Sequence, residues 1–258
     1  MNLSKCIPVF KNAVLLFAAA TALVEPVVTH AAENPRYTVN LPPSAELAYT
    51  LKASFSGIPL GGDAKVAWTN EGDGAQRTYQ VVTDARAALF GKILDEKSTG
   101  AVDAFGLAPA SYNQKRYRRD PSSASFDRQG RKISFGESDQ TYPIKGGEQD
   151  RSSAIWQLIS IARGAPAKFK PGSKWTMFVA GQRDAEAWTF IVDKAEKITL
   201  AQGETATVHL IKSPPADSKE QRIDIWLAPS LEWYPVRLRY TDGNGDFIEQ
   251  NLDSVNRK

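Results

Sequence analysis

The sequence predicts an all-β fold: one antiparallel meander, closed or half-closed into a barrel, with a single amphipathic helix at about residues 150–163. Three observations predict it. Roughly twelve strand-like runs follow one another, joined by short turns rich in glycine, asparagine and aspartate. A sheet of that many strands must curl or split, so a closed or half-closed barrel is expected from the count. One stretch alone, "GGEQDRSSAIWQLISIARGAP" at 146–166, carries a helical spacing of apolar residues.

The chain starts with a segment that reads as a cleaved secretory signal over residues 1–31. Lys5 and Lys11 form a basic start, "AVLLFAAATALV" (Ala13 to Val24) an apolar core, and Thr29 with Ala31 a small-residue cleavage site. Glu25 and Pro26 end the apolar run short of the roughly 20 residues that span a bilayer. Cys6, the one cysteine, precedes the apolar core, whereas a lipid-attachment cysteine would follow it. The expected product is therefore a periplasmic protein without a lipid anchor, not membrane-spanning after cleavage, and without disulfide or thiolate chemistry. Cleavage takes Lys5, Lys11 and Glu25 with it and leaves 227 of 258 residues, 30 basic and 28 acidic. That balance gives no electrostatic reason to bind nucleic acid.

Residues 32–44, "AENPRYTVNLPPS", read as a flexible lead-in to a single β-rich domain at 45–258. The domain opens with "ELAYTLKASF", in which Leu47, Tyr49, Leu51, Ala53 and Phe55 alternate with polar or small residues, the period of a strand with one buried face. "DAKVAWT" places Ala64, Val66 and Trp68 on one face, and "RTYQVVTDA" follows after a glycine-rich turn. "GKILDEKSTGAV" and "ASYNQKRYRR" are polar enough to be expected near an edge or an open rim. "SASFDRQGRKISF", "SKWTMFVAGQRDAEAWTFIV" and "EKITLAQGETATVHLIK" read as hairpins, and the remainder supplies three more strands.

In the helix, Asp150 or Ser152 is placed to cap the first turn, and Gly164 with Pro166 to end the last. Ile155, Leu158, Ile159 and Ala162 form an apolar stripe. Three turns are too few for stability alone, so the stripe must lie on the concave face of the sheet. Two roles fit. The helix completes a solid core, or it is a lid over an apolar pocket with Trp156 at its margin. The expected ligand-binding residues in the second case are Ile155, Trp156, Leu158, Ile159 and Trp68.

No catalytic residue is predicted. After signal cleavage His209 is the one histidine, with no G-x-S-x-G elbow to supply a nucleophile, so it is expected to be structural. H-E-x-x-H, Walker and dinucleotide motifs are absent, and no cofactor or metal is implied. Asp242, Asn244, Asp246 and Asp253 match part of a calcium loop, but Phe247 stands where that loop needs glycine, and a tight hairpin turn explains the same residues. The run "QKRYRRD" holds Lys115, Arg116, Arg118 and Arg119. It reads as a charged edge that discourages strand pairing, or as a contact for a phosphate or lipid headgroup. In the last hairpin Trp226, Trp233, Arg237 and Arg239 share the polar face, either packed on one another or forming a surface for an envelope partner.

"ELAYTLKASFSGIPLGGDAKVAW", "GLAPASYNQKR", "ASFDRQGRKISF", "GGEQDRSSAIWQL" and "IWLAPSLEWYPVRLRYTDGNGDFIEQNL" follow in order. Together they resemble domain-of-unknown-function family 3108 (DUF3108) of exported bacterial proteins. The most specific parts are Q-D-x-x-S at Gln149, Asp150 and Ser153 and the W-L-A-P…P-V-R-L-R hairpin from Trp226 to Arg239. Where that family carries a bulky apolar residue before the serine, this chain has Ser152. The resemblance implies a periplasmic β-rich protein and transfers no activity. In architecture alone, a curved sheet with a helix is similar to periplasmic lipoprotein carriers. The first expectation is thus a non-catalytic binding module for an apolar or lipid-like molecule. An envelope interaction protein with a solid core is the second, and an enzyme of unknown reaction the third.

Overall fold

The computed structural model describes residues 34–214 and 221–258; the expected signal segment lies outside the described residues. Fifteen strands form one sheet. In chain order they are β1 (Ala45–Phe55), β2 (Ile58–Glu71), β3 (Thr78–Ala87), β4 (Gly91–Asp103), β5 (Gly106–Arg116), β6 (Ser122–Asp127), β7 (Lys132–Phe135), β8 (Ser138–Pro143), β9 (Gln149–Asp150), β10 (Lys174–Ala180), β11 (Ala185–Leu200), β12 (Gly203–Lys212), β13 (Arg222–Leu227), β14 (Pro235–Thr241) and β15 (Phe247–Arg257). The one α-helix among the described residues, α1 (Ser153–Gly164), lies between β9 and β10.

The spatial order is chain order broken once: β8 back to β1, then β15 back to β9. All neighbours are antiparallel except β9 on β10. The first and last long strands pair at mid-sheet, Ala45 opposite Arg257 through Ser54 opposite Phe247. The alternation read in the sequence is the alternation observed: Leu47, Tyr49, Leu51, Val66 and Trp68 are buried on the concave side.

The sheet is a half-barrel. Its two outer strands, β8 and β9, do not pair with each other. A small second core joins the ends instead: Tyr112, Phe126, Ile133 and Phe135 from β5–β7 meet Ala180 and Ala185 from β10 and β11, with Tyr142 and Phe178 packed on them. Sharp coiling needs close strand approach. At the bulge between Thr99 and Gly100 a side chain on Gly100 would stand 2.2 Å from the Ala108 carbonyl oxygen, so only glycine fits.

Three expectations are corrected here. The strand count exceeds the estimate because short polar pieces such as β8 and two-residue β9 give too little alternation to be seen in sequence. Of the two places expected for the polar β4 and β5, the edge is ruled out, since both are interior strands, and the open rim holds, with Glu96, Gln114 and Arg116 lining the hollow described below. And residues 34–44, expected to be a flexible lead-in, have no regular secondary structure but are strapped to the body. Asn34 Nδ2 donates to Gly146 O (2.7 Å), Tyr37 OH to Thr176 O (3.0 Å), and Asn40 N to Ser160 O (2.8 Å). Trp68 Nε1 and Asn70 Nδ2 donate to Pro42 O, and Tyr234 OH to Pro43 O.

This strap explains Gly164. A side chain there would stand 2.4 Å from the Thr38 carbonyl oxygen. Helix propensity favours Gly164→Ala by about 1 kcal/mol, but the clash is with backbone and dominates. The substitution is expected to lower stability by about 1–3 kcal/mol. A rise in melting temperature would refute the strap.

α1 is not the one-stripe helix that the sequence suggested. Every residue from Ser153 to Ala162 is buried. The polar ones are satisfied locally: Gln157 Oε1 accepts from Leu107 N (2.9 Å), its Nε2 donates to Phe105 O (2.7 Å), and Ser160 Oγ donates to Trp156 O (2.8 Å). The helix therefore lies inside the half-barrel.

Candidate functional site

The start of the helix shows what the Q-D-x-x-S motif does. Asp150 Oδ1 accepts the backbone N–H groups of Ser152 (2.9 Å) and Ser153 (2.8 Å), and Ser153 Oγ accepts the N–H of Asp150 (2.8 Å). This reciprocal pattern caps the free N–H groups of the first turn. The other carboxylate oxygen of Asp150 accepts from Ser98 Oγ (2.5 Å), which lies 3.0 Å from Tyr79 OH. Gln149 Nε2 donates to Leu107 O (2.7 Å). Gln149 and Gln157 together occupy both backbone groups of Leu107, where β5 lacks a strand partner beside the helix. Just before them Glu148 turns the loop, accepting from Lys145 N (2.6 Å) and Gly146 N (2.9 Å).

α1 begins near one rim of the half-barrel and runs away from it. That rim carries the β1–β2 turn, the β3–β4 turn and the end of β5. On the far side of α1 the interior is solid: Trp68 stacks on Trp156 (4.5 Å between centroids, 6° between planes) and Tyr234 meets Trp156 edge-on (6.1 Å, 66°). Toward the rim the interior is hollow. A cavity of about 570 Å³ is walled by Tyr49, Leu51, Ala53, Val66 and Ala85 on one side and by Ile223, Leu238, Tyr240 and Ile248 on the other. Its floor is Ser152, Ile155 and Trp156. Phe55, Ile58, Phe90 and Tyr117 line it at the rim, and each is 40–63% exposed. The helix is thus the floor of a cavity, not a lid over its mouth. It also completes a core on its far side, so of the two roles weighed for it core completion holds there and the lid is replaced by a floor.

Of the five residues expected to bind a ligand, Ile155 and Trp156 line the cavity. Leu158, Ile159 and Trp68 are fully buried in the solid half. The reason is geometric: Leu158 and Ile159 are a turn deeper into the filled end, and Trp68 is covered by Trp156.

The wall is almost free of charge. Burial pushes the Tyr240 phenol up to about 12, so it is a neutral hydroxyl. Gln250, also in the wall, has an Oε1 atom with no hydrogen-bond partner. The charged residues lining the cavity are Glu96, Arg116, Arg119 and Arg151, at the rim end. The basic run was visible in the sequence; that Arg151 faces it, 35 positions away, was not.

The outer-face residues divide. Trp226 stacks on His209 (4.2 Å, 10°), donates to Glu196 Oε1 (2.8 Å) and has the Arg237 guanidinium 5.5 Å from its ring. Arg239 covers Phe247 (3.8 Å) and donates to Glu249 (3.2 Å). Trp233 is not on that face. A bulge beyond Trp226 shifts the register, and Trp233 sits in the preceding turn against Phe169 (5.5 Å) with a φ of 62°. The expected four-residue partner surface is therefore split.

His209 is buried, its ring nitrogens 3.1 Å from Asp193 and 2.9 Å from Asp224. Burial works to raise the Asp224 carboxyl, but Arg222 and His209 donating to it prevail and hold it at about 2. Both histidine nitrogens are committed to structural partners. The Asp242–Asp246 segment is a hairpin turn, Asp242 Oδ1 accepting from Asn244 N (2.8 Å) and Asp246 N (3.0 Å).

Among solved structures, a β-barrel-like protein of domain-of-unknown-function family 1849 from Brucella abortus is similar in fold. Its TM-score is 0.51 at 14% identity, with 85% of this chain and 99% of that one covered. A family 1329 protein from Desulfovibrio piger scores 0.30 at 10% identity, covering 84% of this chain and 86% of that one. No curated protein matches. A family model described as "Protein of unknown function (DUF3108)" matches residues 48–253, most of the sheet together with the helix and every residue of the cavity wall, and the chain belongs to that family.

Proposed function

We propose that this protein is a periplasmic, non-catalytic binding module that holds an apolar or lipid-like molecule in the cavity of its half-barrel. The observation that carries the reading is the hollow itself. Interiors normally pack without voids larger than a water molecule, yet about 570 Å³ lies between apolar walls, within the usual range of ligand sites. The exposed aromatic and aliphatic side chains at the rim supply an apolar path in. Export follows from the reading of residues 1–31 as a signal, and the single domain at 45–258 from the strand pattern. The alternative, a partner surface on Trp226, Trp233, Arg237 and Arg239, has less support, because those side chains are engaged within the chain.

The test is native mass spectrometry of protein purified from periplasm without detergent, followed by organic extraction. A reproducible extra mass that extracts as a lipid is the expected result. Ala53→Trp, which projects an indole into the cavity from a half-buried position, is expected to lose that mass while melting within a few degrees of wild type. For a series of alkyl ligands, affinity should rise roughly fourfold per added methylene, about 0.8 kcal/mol each, until the cavity is full. A bare protein mass, with no thermal shift on adding lipids, would sink the proposal.

A further inference from the structure

Arg116 ends β5, and Arg151 lies between β9 and α1. Both are half-buried, and both line the cavity and also a smaller adjoining hollow of about 200 Å³. Neither has a carboxylate within 4.0 Å among the described residues. Arg116 Nε donates to Gln114 (2.9 Å), and Arg151 donates to Gln221 (3.3 Å) while its guanidinium lies 5.2 Å from the Trp188 ring. Glu96, the one carboxylate in the cavity wall among the described residues, accepts from Tyr112 OH and from Gln114 Nε2 (3.1 Å). Burial, and then the nearby Arg151 charge, work to lower Arg116, while Tyr112 and Glu96 act in the opposite direction. Two partly desolvated guanidiniums with no carboxylate in contact among the described residues, the nearby Glu96 being engaged by Tyr112 and Gln114, are costly to hold together, and an anion between them relieves that cost.

This inference rests on the cavity reading and narrows it. We infer that the ligand is an anionic amphiphile, whose phosphate or carboxylate head is held between Arg116 and Arg151 while its apolar tail fills the cavity behind them. The guanidinium forks suit such a head because they give paired, charge-assisted hydrogen bonds. Arg119, exposed at the same rim, adds to the attraction. Away from these groups the described wall is uncharged and takes the tail.

The test compares dodecyl phosphate, dodecanol and inorganic phosphate on delipidated mature protein, by calorimetry or by quenching of the cavity tryptophans. Dodecyl phosphate is expected to bind at least about tenfold more tightly than dodecanol, the gain of one charge-assisted pair. In Arg116→Gln and Arg151→Gln the preference should fall to within about threefold. Equal binding of dodecanol and dodecyl phosphate would overturn the inference and leave the cavity reading standing. Inorganic phosphate binding as tightly as dodecyl phosphate would also overturn it, showing an anion site independent of the tail. If neither dodecyl compound binds, the cavity reading falls with it. Should an arginine variant fail to fold, the wild-type comparison still decides.

Discussion

Trp156→Ala is expected to lower the stability of the protein by about 3–5 kcal/mol, as large-to-small changes of buried aromatics do. Trp156 is only 3% exposed. One face of its ring stacks on Trp68, its edge meets Tyr234, and it forms part of the cavity floor. Deleting the indole removes the stack and merges the cavity with the space it leaves, which the neighbours cannot close without moving Trp68 off its bond to Pro42 O. The strap of residues 34–44 should loosen as well. Trp156→Phe is expected to lose about half as much, since an aromatic ring still covers Trp68. Urea unfolding measures both. A loss below about 1 kcal/mol for Trp156→Ala would show that the stack contributes little and that the site relaxes freely. The sequence placed Trp156 at the margin of a pocket; its place in the core makes Ala53→Trp the cleaner probe of ligand contact.

Asp150→Ala should cost about 2–4 kcal/mol at neutral pH, because it leaves the N–H groups of Ser152 and Ser153 and the hydroxyl of Ser98 without their acceptor inside the fold. Asp150→Asn keeps an oxygen for the two N–H groups and should cost less. The pH dependence separates the two contributions of the carboxyl group. Burial raises Asp150 from the usual carboxylate value of 3.8 to about 7, against the lowering effect of the hydrogen bonds from Ser98 and from the backbone of Ser153 and Ser152. With the folded value above the unfolded one, its contribution is complete below about pH 4. It declines as the pH rises to about 7 and is level beyond. Wild type should therefore lose several degrees of melting temperature across that window relative to Asp150→Asn. Parallel pH profiles for the two proteins would mean that Asp150 is ionised throughout and that the donors outweigh burial.

The fold was readable because sheets write themselves into sequence with a period of two. Leu47, Tyr49 and Leu51, or Val66 and Trp68, could face only one way once one side was buried. The helix was readable for the complementary reason: Asp150, Gly164 and Pro166 mark its two ends in residue types tied to cap chemistry, while Ser152, the other cap candidate, makes no side-chain cap bond. Both signals are local. The cavity was not readable, because a hollow is the difference between the volume that a coiled sheet encloses and the volume that its side chains fill. That difference depends on curvature set at places such as the bulge beside Gly100.

The same limit hid the depth of the helix. Ile155, Leu158 and Ile159 look alike on a helical stripe, and only the position of α1 below the rim puts the first against the hollow and the other two in solid core. It also hid the meeting of Arg116 with Arg151 and the register shift that carries Trp233 off the outer face. The sequence by itself determined the strand pattern, the capped helix and the family. Which faces touch, where space is left and which charges share it were decided by the tertiary structure, since those depend on distances between residues far apart in the chain.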